Sequence, residues 1–181
     1  SDVMLDRLYQ QGGRWVATPV NNGKAQVRGI TLEAKLPLKA LLAGAPALDL
    51  RANVARNWSR VDAVAGPDNR LDSQLPWSAS LGGDYLLSSL PLSVGTDLNY
   101  QAGGRSRESS QLLAWQGARR ELDMYALWKF SDKLRLRVSG ANLLRQDYHT
   151  RSLYADAAGS TLRTVDTGTY RTLRLMLEGP L

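Results

Sequence analysis

Apolar and polar residues alternate with a period of two through most of the chain. The clearest example is the segment Lys133 to Leu144, in which three apolar residues alternate with two arginines and a serine. Such alternation predicts β-strands with one apolar face and one polar face. The segments with this pattern are Val3–Gln10, Lys24–Pro37, Ala47–Arg60, Pro76–Ser88, Leu92–Gln101, Ala114–Phe130, Lys133–Leu144 and Thr167–Glu178.

The segments between these eight predicted strands alternate in length. Three are short, and one of them, Leu38 to Pro46, has room for a single helical turn. The four long ones are polar or rich in glycine and are predicted to be loops: Gln11–Gly23, Val61–Leu75, Ala102–Leu113 and Arg145–Asp166. Alternating long and short connections are typical of an up-and-down meander whose two ends face different surroundings. The sequence therefore predicts one all-β domain with antiparallel strands.

Composition leaves a membrane protein possible only if strands cross the bilayer. No run approaches 18 apolar residues, so no transmembrane helix is expected, whereas membrane-spanning strands need only about 9–11 residues. The opening residues lack the charged and apolar regions of a signal peptide, so an export signal is expected to have been removed or to lie outside this sequence. The chain has no cysteine, and its net charge of +6 favours an anionic partner.

Two architectures fit alternating strands: a soluble barrel or sandwich, and an outer-membrane barrel whose apolar face meets lipid. Three features favour the membrane barrel. The predicted strands exceed the usual length of about 5–6 residues. Charged residues in the middle of the predicted strands do not share a face with the aliphatic residues, where each would cost about 2–4 kcal/mol of stability in lipid. Aromatic residues cluster near strand ends, as in the aromatic belts of membrane barrels: Trp58, Trp77, Tyr85, Tyr100, Trp115, Trp128, Phe130, Tyr148 and Tyr170.

Two segments resemble TonB-dependent outer-membrane receptors. Residues 21–33, NNGKAQVRGITLE, are similar to the family's N-x-G-x-A-x-x-x-G-[IV]-E-L-E stretch, with Thr31 at a position that is often acidic. Residues 140–148, GANLLRQDY, are similar to its late-barrel signature G-x-N-L-x-[ND]-x-x-Y, with Arg145 in place of the usual small acidic or amide residue.

The resemblance implies a 22-stranded barrel in the Gram-negative outer membrane. The eight predicted strands, residues 1–181, would form the C-terminal part of that barrel, and the N-terminal plug and the remaining strands would lie outside this sequence. The resemblance also implies import of a ferric siderophore or similar scarce ligand with energy from TonB. The implied partners are the plug domain, TonB, the small ligand, outer-membrane lipid and lipopolysaccharide.

The sequence contains no catalytic constellation, so no enzyme and no cofactor are expected. The single histidine, His149, falls in a predicted loop, and neither a metal-ligand cluster nor a glycine-rich phosphate loop is present. Guanidinium groups in the long loops can pair with anionic oxygens of a ferric chelate, and aromatic rings can stack on it. The candidate ligand-binding residues are Arg105, Arg107, Trp115, Arg119, Arg145, Tyr148, His149, Arg151 and Tyr154.

Other interpretations of the same features remain open. The basic loops could instead bind lipopolysaccharide or be simply solvated. The chain could form a self-contained small eight-stranded outer-membrane barrel, which can close by itself. It could also be a soluble basic β-barrel that binds a polyanion, but nucleic-acid binding needs aromatic and basic residues on one face. Most aromatic residues here share the aliphatic parity, so nucleic acid is not expected as a partner.

Overall fold

The computed structural model describes residues 2–12, 14–72 and 74–179, with side chains from residue 11 onward except at positions 15, 17 and 19–22. These residues form twelve strands and one helical turn, α1 (Leu38–Leu41). The strands are β1 (Asp2–Gln11), β2 (Arg14–Pro37), β3 (Ala47–Val61), β4 (Trp77–Leu86), β5 (Leu92–Gln101), β6 (Gly104–Arg107), β7 (Leu112–Gln116), β8 (Arg119–Lys129), β9 (Arg135–Ala141), β10 (Tyr148–Asp156), β11 (Gly159–Thr167) and β12 (Thr172–Glu178).

Eight of these strands form one antiparallel sheet in the order β1-β2-β3-β4-β5-β8-β9-β12. They correspond to the eight strands that the alternation predicts, so the predicted meander is confirmed, as is the helical turn after β2. The strand pairings of the described residues leave β12 as one edge of this sheet. The other edge consists of β1 and residues 25–37 of β2, because β1 pairs only with the preceding part of β2. The sheet is therefore open, as expected for part of a barrel wall. No helix in the described part of the chain is long and apolar enough to cross a membrane.

The register of the large sheet places the aliphatic residues of neighbouring strands side by side. In one row Ala52 pairs with Leu81, Leu81 with Leu98, and Leu98 with Leu122. We call this side the apolar face and the opposite side the polar face. Large side chains of the apolar face are open to the surroundings, with Leu173 79% exposed. Because so large an exposed apolar surface is unusual in a soluble monomer, this face is suited to lipid.

The buried core of the described residues is small and lies at one end of the large sheet. Its one cluster in the described residues consists of Ala25, Val61 and Val64, with Leu71 packed against it, and Ala102 is buried apart from them. Two of these residues belong to the connection between β3 and β4, so the core fixes that connection onto β2 and β3. The apolar face itself has no second layer packed on it in the described residues, which distinguishes this fold from a β-sandwich.

A second sheet, in the order β11-β10-β7-β6, occupies two segments that the sequence analysis predicted to be loops. The predictions for Ala102–Leu113 and Arg145–Asp166 were therefore wrong in part, because both segments contain paired strands. The predicted strand Ala114–Phe130 was also wrong in extent, since it divides between β7 and β8. The break comes at Gly117 and Ala118, where the backbone passes so close to Gly103 that a Cβ atom there would overlap it.

The predicted loop Gln11–Gly23 is a β-hairpin arm instead. The strands β1 and β2 pair antiparallel, and Gln11 lies opposite Arg14 beside the turn. The turn includes Gly12, which has a φ of 58°. β2 then continues past Gly23, at a φ of 82°, to pair with β3. Glycine adopts these positive φ angles without steric cost, which is why the polar, glycine-containing stretch forms a hairpin and not an open loop.

The turn after β9 anchors the second sheet to the first. Asn142 adopts a left-handed conformation, with a φ of 52°; its backbone N–H donates a hydrogen bond to Oδ1 of Asp123 at 2.8 Å, and its side-chain amide donates to the carbonyl of Tyr170 at 3.0 Å. Gln146 donates to the carbonyl of Ala118 at 3.1 Å. This turn lies in residues 140–148, so the segment that resembles the family signature holds the β10–β11 hairpin against β8 and β12.

We predict that Asn142→Ala destabilises the protein by about 1–2 kcal/mol, because alanine loses the hydrogen bond to Tyr170 and is strained at positive φ. Asn142→Gly keeps the backbone freedom and loses only the hydrogen bond, so it should be less harmful. Denaturant unfolding of the natural full-length protein in detergent measures both. Equal stability of the alanine variant and the wild type would contradict the anchoring role.

Candidate functional site

The second sheet brings two candidate arginines and a tryptophan into one cross-strand row. Arg105 of β6 pairs with Trp115 of β7, and Trp115 pairs with Arg151 of β10. The guanidinium carbon of Arg151 lies 5.3 Å from the centroid of the Trp115 ring, which is the distance of a cation–π contact. Side chains directly opposite each other on paired strands share one face. Two exposed cations therefore flank one aromatic ring.

Apolar side chains continue this face next to the row. Leu113, Leu153 and Leu162 occupy the neighbouring cross-strand positions, and together with Arg105, Trp115 and Arg151 they line an open hollow of about 290 Å³. We call this side of the second sheet the basic face. Its cations, one aromatic ring and aliphatic floor suit a small ligand that carries anionic oxygens on an apolar or planar body.

His149 and Asp166 occupy the next row of the basic face. They pair across β10 and β11, and Nδ1 of His149 lies 2.6 Å from Oδ1 of Asp166. Both side chains are at least half exposed. The carboxylate holds the imidazole ring in place at one edge of the basic face, one row from Arg151.

Two candidate tyrosines lie on the opposite side of the second sheet. The hydroxyl of Tyr148 donates to Oε1 of Gln116 at 3.1 Å, beside a small hollow between this side and the β3–β4 connection. The hydroxyl of Tyr154 donates to Oδ2 of Asp156 at 3.2 Å. Partial desolvation and this hydrogen bond raise the pKa of Tyr154 above its usual value. The structure thus separates Tyr148 and Tyr154 from Arg151, although the three residues are close in sequence.

The other candidate arginines lie apart from the central row. Arg107 is on the basic face, but its Nε donates to the carbonyl of Pro67 at 3.2 Å and so fastens β6 to the β3–β4 connection. Arg119 begins β8 on the polar face of the large sheet, where it pairs with Glu121 at 2.5 Å. Arg145 is exposed in the turn after β9, at a φ of 50°.

Sequence reasoning missed the aliphatic floor of the basic face. Leu113, Leu153 and Leu162 are not among the candidates, because the alternation predicts mainly loops in their segments. A signal was present, because Arg151 and Leu153 have the same parity and so do Leu162 and Thr164. Alternation over such short segments is difficult to distinguish from chance, so the face became visible only through the cross-strand register.

The polar face of the large sheet carries a network of charged side chains. Arg51 pairs with Asp84 and, at 3.0 Å, with Asp97. The hydroxyl of Tyr125 donates to Oδ1 of Asp84 at 2.6 Å, and the guanidinium of Arg137 lies 4.9 Å from the centroid of the Tyr125 ring. The prediction that mid-strand charges lie on the face opposite the aliphatic residues is confirmed for Arg51, Asp97 and Arg137. Arg28, Arg56 and Arg120 instead share the aliphatic face, near the end with the long connections.

Two glycines make room for this network. A Cβ atom on Gly82 would overlap the carboxylate of Asp97 and crowd Arg51, and a Cβ atom on Gly95 would overlap the Tyr125 ring. The described residues contain no group of three His, Cys, Asp or Glu side chains that could hold a metal ion.

Comparison with known families agrees with the sheet and its two faces. The family model described as "TonB dependent receptor-like, beta-barrel" matches residues 4–143. The match includes residues 21–33 and the first part of residues 140–148, the two segments on which the resemblance rests. A comparison with curated proteins gives no match, and neither does one with solved structures. The matched family consists of receptors and transporters that are typically found in the outer membrane. Because the match covers more than half of its residues, the chain belongs to the TonB-dependent receptor-like β-barrel family.

Proposed function

We propose that this chain is the wall and outer part of an outer-membrane receptor that takes up a scarce, small anionic ligand with energy from TonB. A ferric siderophore is the ligand class we favour. The observation that carries this proposal is the row Arg105–Trp115–Arg151, which presents two cations around an aromatic ring at the long-connection end of a barrel wall. Ferric chelates carry anionic oxygens on planar or apolar groups, and both parts have partners on the basic face.

We propose further that residues 1–181 form the C-terminal part of a larger barrel. The open edges of the large sheet support this view, since an open sheet in lipid leaves unpaired backbone groups that cost several kcal/mol each. Strands from the rest of the receptor would pair with β12 on one side and with residues 25–37 of β2 on the other. The plug domain and the segment that contacts TonB would also belong to that remaining part, and the plug would contact the polar face.

The long connections would face the outside of the cell. The second sheet extends from that end, so its basic face would meet a ligand before the ligand reaches the lumen. The polar face would line the lumen, where the paired charges of Arg51, Asp84 and Asp97 are hydrated and shielded from lipid. Lipopolysaccharide would contact the same outer end of the wall.

We predict that Arg105→Gln/Arg151→Gln weakens ligand binding by at least about 100-fold, since each charge-assisted hydrogen bond is worth about 1.5–3 kcal/mol. Trp115→Leu should weaken binding by roughly fivefold through loss of stacking. The measurement is binding of ferric citrate and of a ferric tris-catecholate to the natural full-length protein, followed by uptake of the ⁵⁵Fe forms by iron-limited cells.

Arg163→Gln is the matched control, because Arg163 lies on the same sheet but pairs with Ser152 on the opposite side. It should bind and transport as the wild type does. An uncoupler of the proton gradient should stop uptake without affecting binding. Wild-type binding and uptake of both probes by the double variant, at equal abundance in the outer membrane, would end the ligand proposal.

A further inference from the structure

The apolar face of the large sheet carries charges of one sign only. In the described strand pairs from Ala25 onward, no acidic residue lies on this face. The basic residues on it are Arg28, Arg56, Arg60 and Arg120. All of them lie at the end with the long connections. Acidic residues of the same strands lie on the polar face, so the two faces differ in charge as well as in hydrophobicity.

Aromatic residues alternate with three of these arginines. Arg28 pairs with Trp58, Arg56 with Trp77, and Arg120 with Tyr100. The resulting band crosses β2, β3, β4, β5 and β8, and we call these six residues the arginine collar. The guanidinium of Arg56 lies 5.5 Å from the Trp58 ring, that of Arg120 lies 5.7 Å from the Tyr100 ring, and the rings of Trp77 and Tyr100 are 4.6 Å apart.

The three collar arginines are exposed and form no ion pair with any described acidic side chain. Arg60, by contrast, lies 4.0 Å from Asp62, and Arg51 on the polar face has two carboxylate partners. The cation–π contacts of Arg56 and Arg120 orient the guanidinium groups but leave their hydrogen-bond donors free for an external anion. Unpaired arginines on an otherwise apolar surface therefore indicate an anionic partner that is itself attached to apolar groups.

A shallow apolar trough begins next to the collar, on the side toward the short connections. Leu98 on β5 and Leu122 on β8 form the next row of the apolar face, two residues from Tyr100 and Arg120 toward the end with the short connections. Both line the trough. Gly83 lowers its floor because glycine has no side chain, whereas Leu143 packs over Gly140 at the far side of the trough. Met124 lies between the strands of these two glycines. A groove with an apolar floor and a cationic rim fits an acyl chain that ends in an anionic headgroup.

We propose that the arginine collar binds the phosphate groups of an outer-leaflet lipid, whose acyl chains lie in the trough. This rests on the membrane orientation in the proposed function but not on the ligand site. A lipid fits better than an acidic peptide, because aromatic side chains of a barrel belt lie at headgroup height and the trough is lined mainly by aliphatic side chains and glycines, with few polar partners for a peptide backbone.

The test compares Arg28→Gln/Arg56→Gln/Arg120→Gln with the charge-matched control Lys129→Gln/Arg135→Gln/Arg174→Gln on the polar face. The natural full-length protein is delipidated in mild detergent and titrated with diphosphoryl lipid A, with its dephosphorylated form, and with inorganic phosphate. Native mass spectrometry gives the dissociation constants. Each arginine near an anionic lipid surface contributes about a fivefold change in affinity. The affinity of the collar variant for diphosphoryl lipid A should therefore fall by roughly 100-fold.

The wild type and the control variant should bind diphosphoryl lipid A equally and the dephosphorylated form much more weakly, and inorganic phosphate alone should not bind. If the triple variant fails to assemble, the single variants and Arg56→Lys, which keeps the charge, give the same comparison. Equal binding of diphosphoryl lipid A by the wild type and the collar variant would overturn the proposal, as would tight binding of free phosphate. Uptake of ferric chelates by the collar variant should be unchanged, which separates this test from that of the proposed function.

Discussion

Gly95→Val is expected to destabilise the barrel wall by about 2–4 kcal/mol. A Cβ atom at this position would overlap the Tyr125 ring and the carboxylate of Asp84, and the ring lies between β5 and β9 with little freedom to move. The hydrogen bond from the Tyr125 hydroxyl to Asp84 would be lost together with the packing. Denaturant unfolding of the natural full-length protein in detergent micelles should show the loss as an earlier transition.

Gly168→Val is the matched control. No atom lies within 4 Å of a Cβ built on Gly168, and its backbone does not have a positive φ, so valine should be tolerated there. Tyr125→Ala removes the ring and should make the valine at position 95 less harmful, so the two changes together should cost less than their sum. Additive effects of these two changes, or a Gly95→Val protein as stable as the wild type, would show that the close approach is not maintained in solution.

The large sheet could be predicted from the sequence because each of its strands carries its own signal. Alternation is a property of one segment, and a membrane-facing strand must keep that alternation over many residues to separate lipid from water. The assignment of Leu50 and Arg51 to opposite faces therefore needs no knowledge of their neighbours.

The second sheet could not be predicted because its evidence is distributed between distant segments. β6 and β7 have four and five residues, too few for alternation to be distinguished from chance. They are held in place by pairing of β7 with β10, more than thirty residues later in the chain. The false extension of β8 back to Ala114 has a related cause, since the break at Gly117 follows from a close approach of Gly103 that no local pattern reveals.

The candidate site was predicted in its chemistry but not in its arrangement. Arginines and aromatic residues in the long connections suggested an anion site, and three of them form the row on the basic face. Which residues share that face depends on register, because a shift of one residue moves every side chain to the other side. Tyr148 and Arg151 are three positions apart and therefore lie on opposite sides of β10.

The two arginine groups on this wall differ in the partners that the fold provides. Arg51 lies beside two carboxylates on the polar face, whereas the collar arginines lie beside aromatic and aliphatic side chains on the apolar face. Residue type alone does not distinguish these two groups of arginines. The difference arises from cross-strand neighbours, and it predicts opposite consequences of substitution: loss of stability on the polar face and loss of lipid affinity at the collar.

Arg51→Met is expected to lower the stability of the wall by about 2–3 kcal/mol. The change leaves Asp84 and Asp97 close together without the cation that both carboxylates contact. The Arg51 side chain is 40% exposed, so water compensates for part of the loss, and the effect should be smaller than for a fully buried ion pair. The measurement is again denaturant unfolding of the natural full-length protein.

The variant Arg51→Met/Asp84→Asn/Asp97→Asn separates charge from packing. If the cost of Arg51→Met comes from two uncompensated carboxylates, removing both charges should restore most of the lost stability, because the asparagines keep their size and can still accept a hydrogen bond from Tyr125. If the stem of Arg51 contributes mainly by packing over Gly82, methionine should replace it well, and Arg51→Met alone should be nearly neutral. A triple variant as unstable as Arg51→Met would contradict the charge argument, because no unpaired carboxylate would remain at positions 84 and 97.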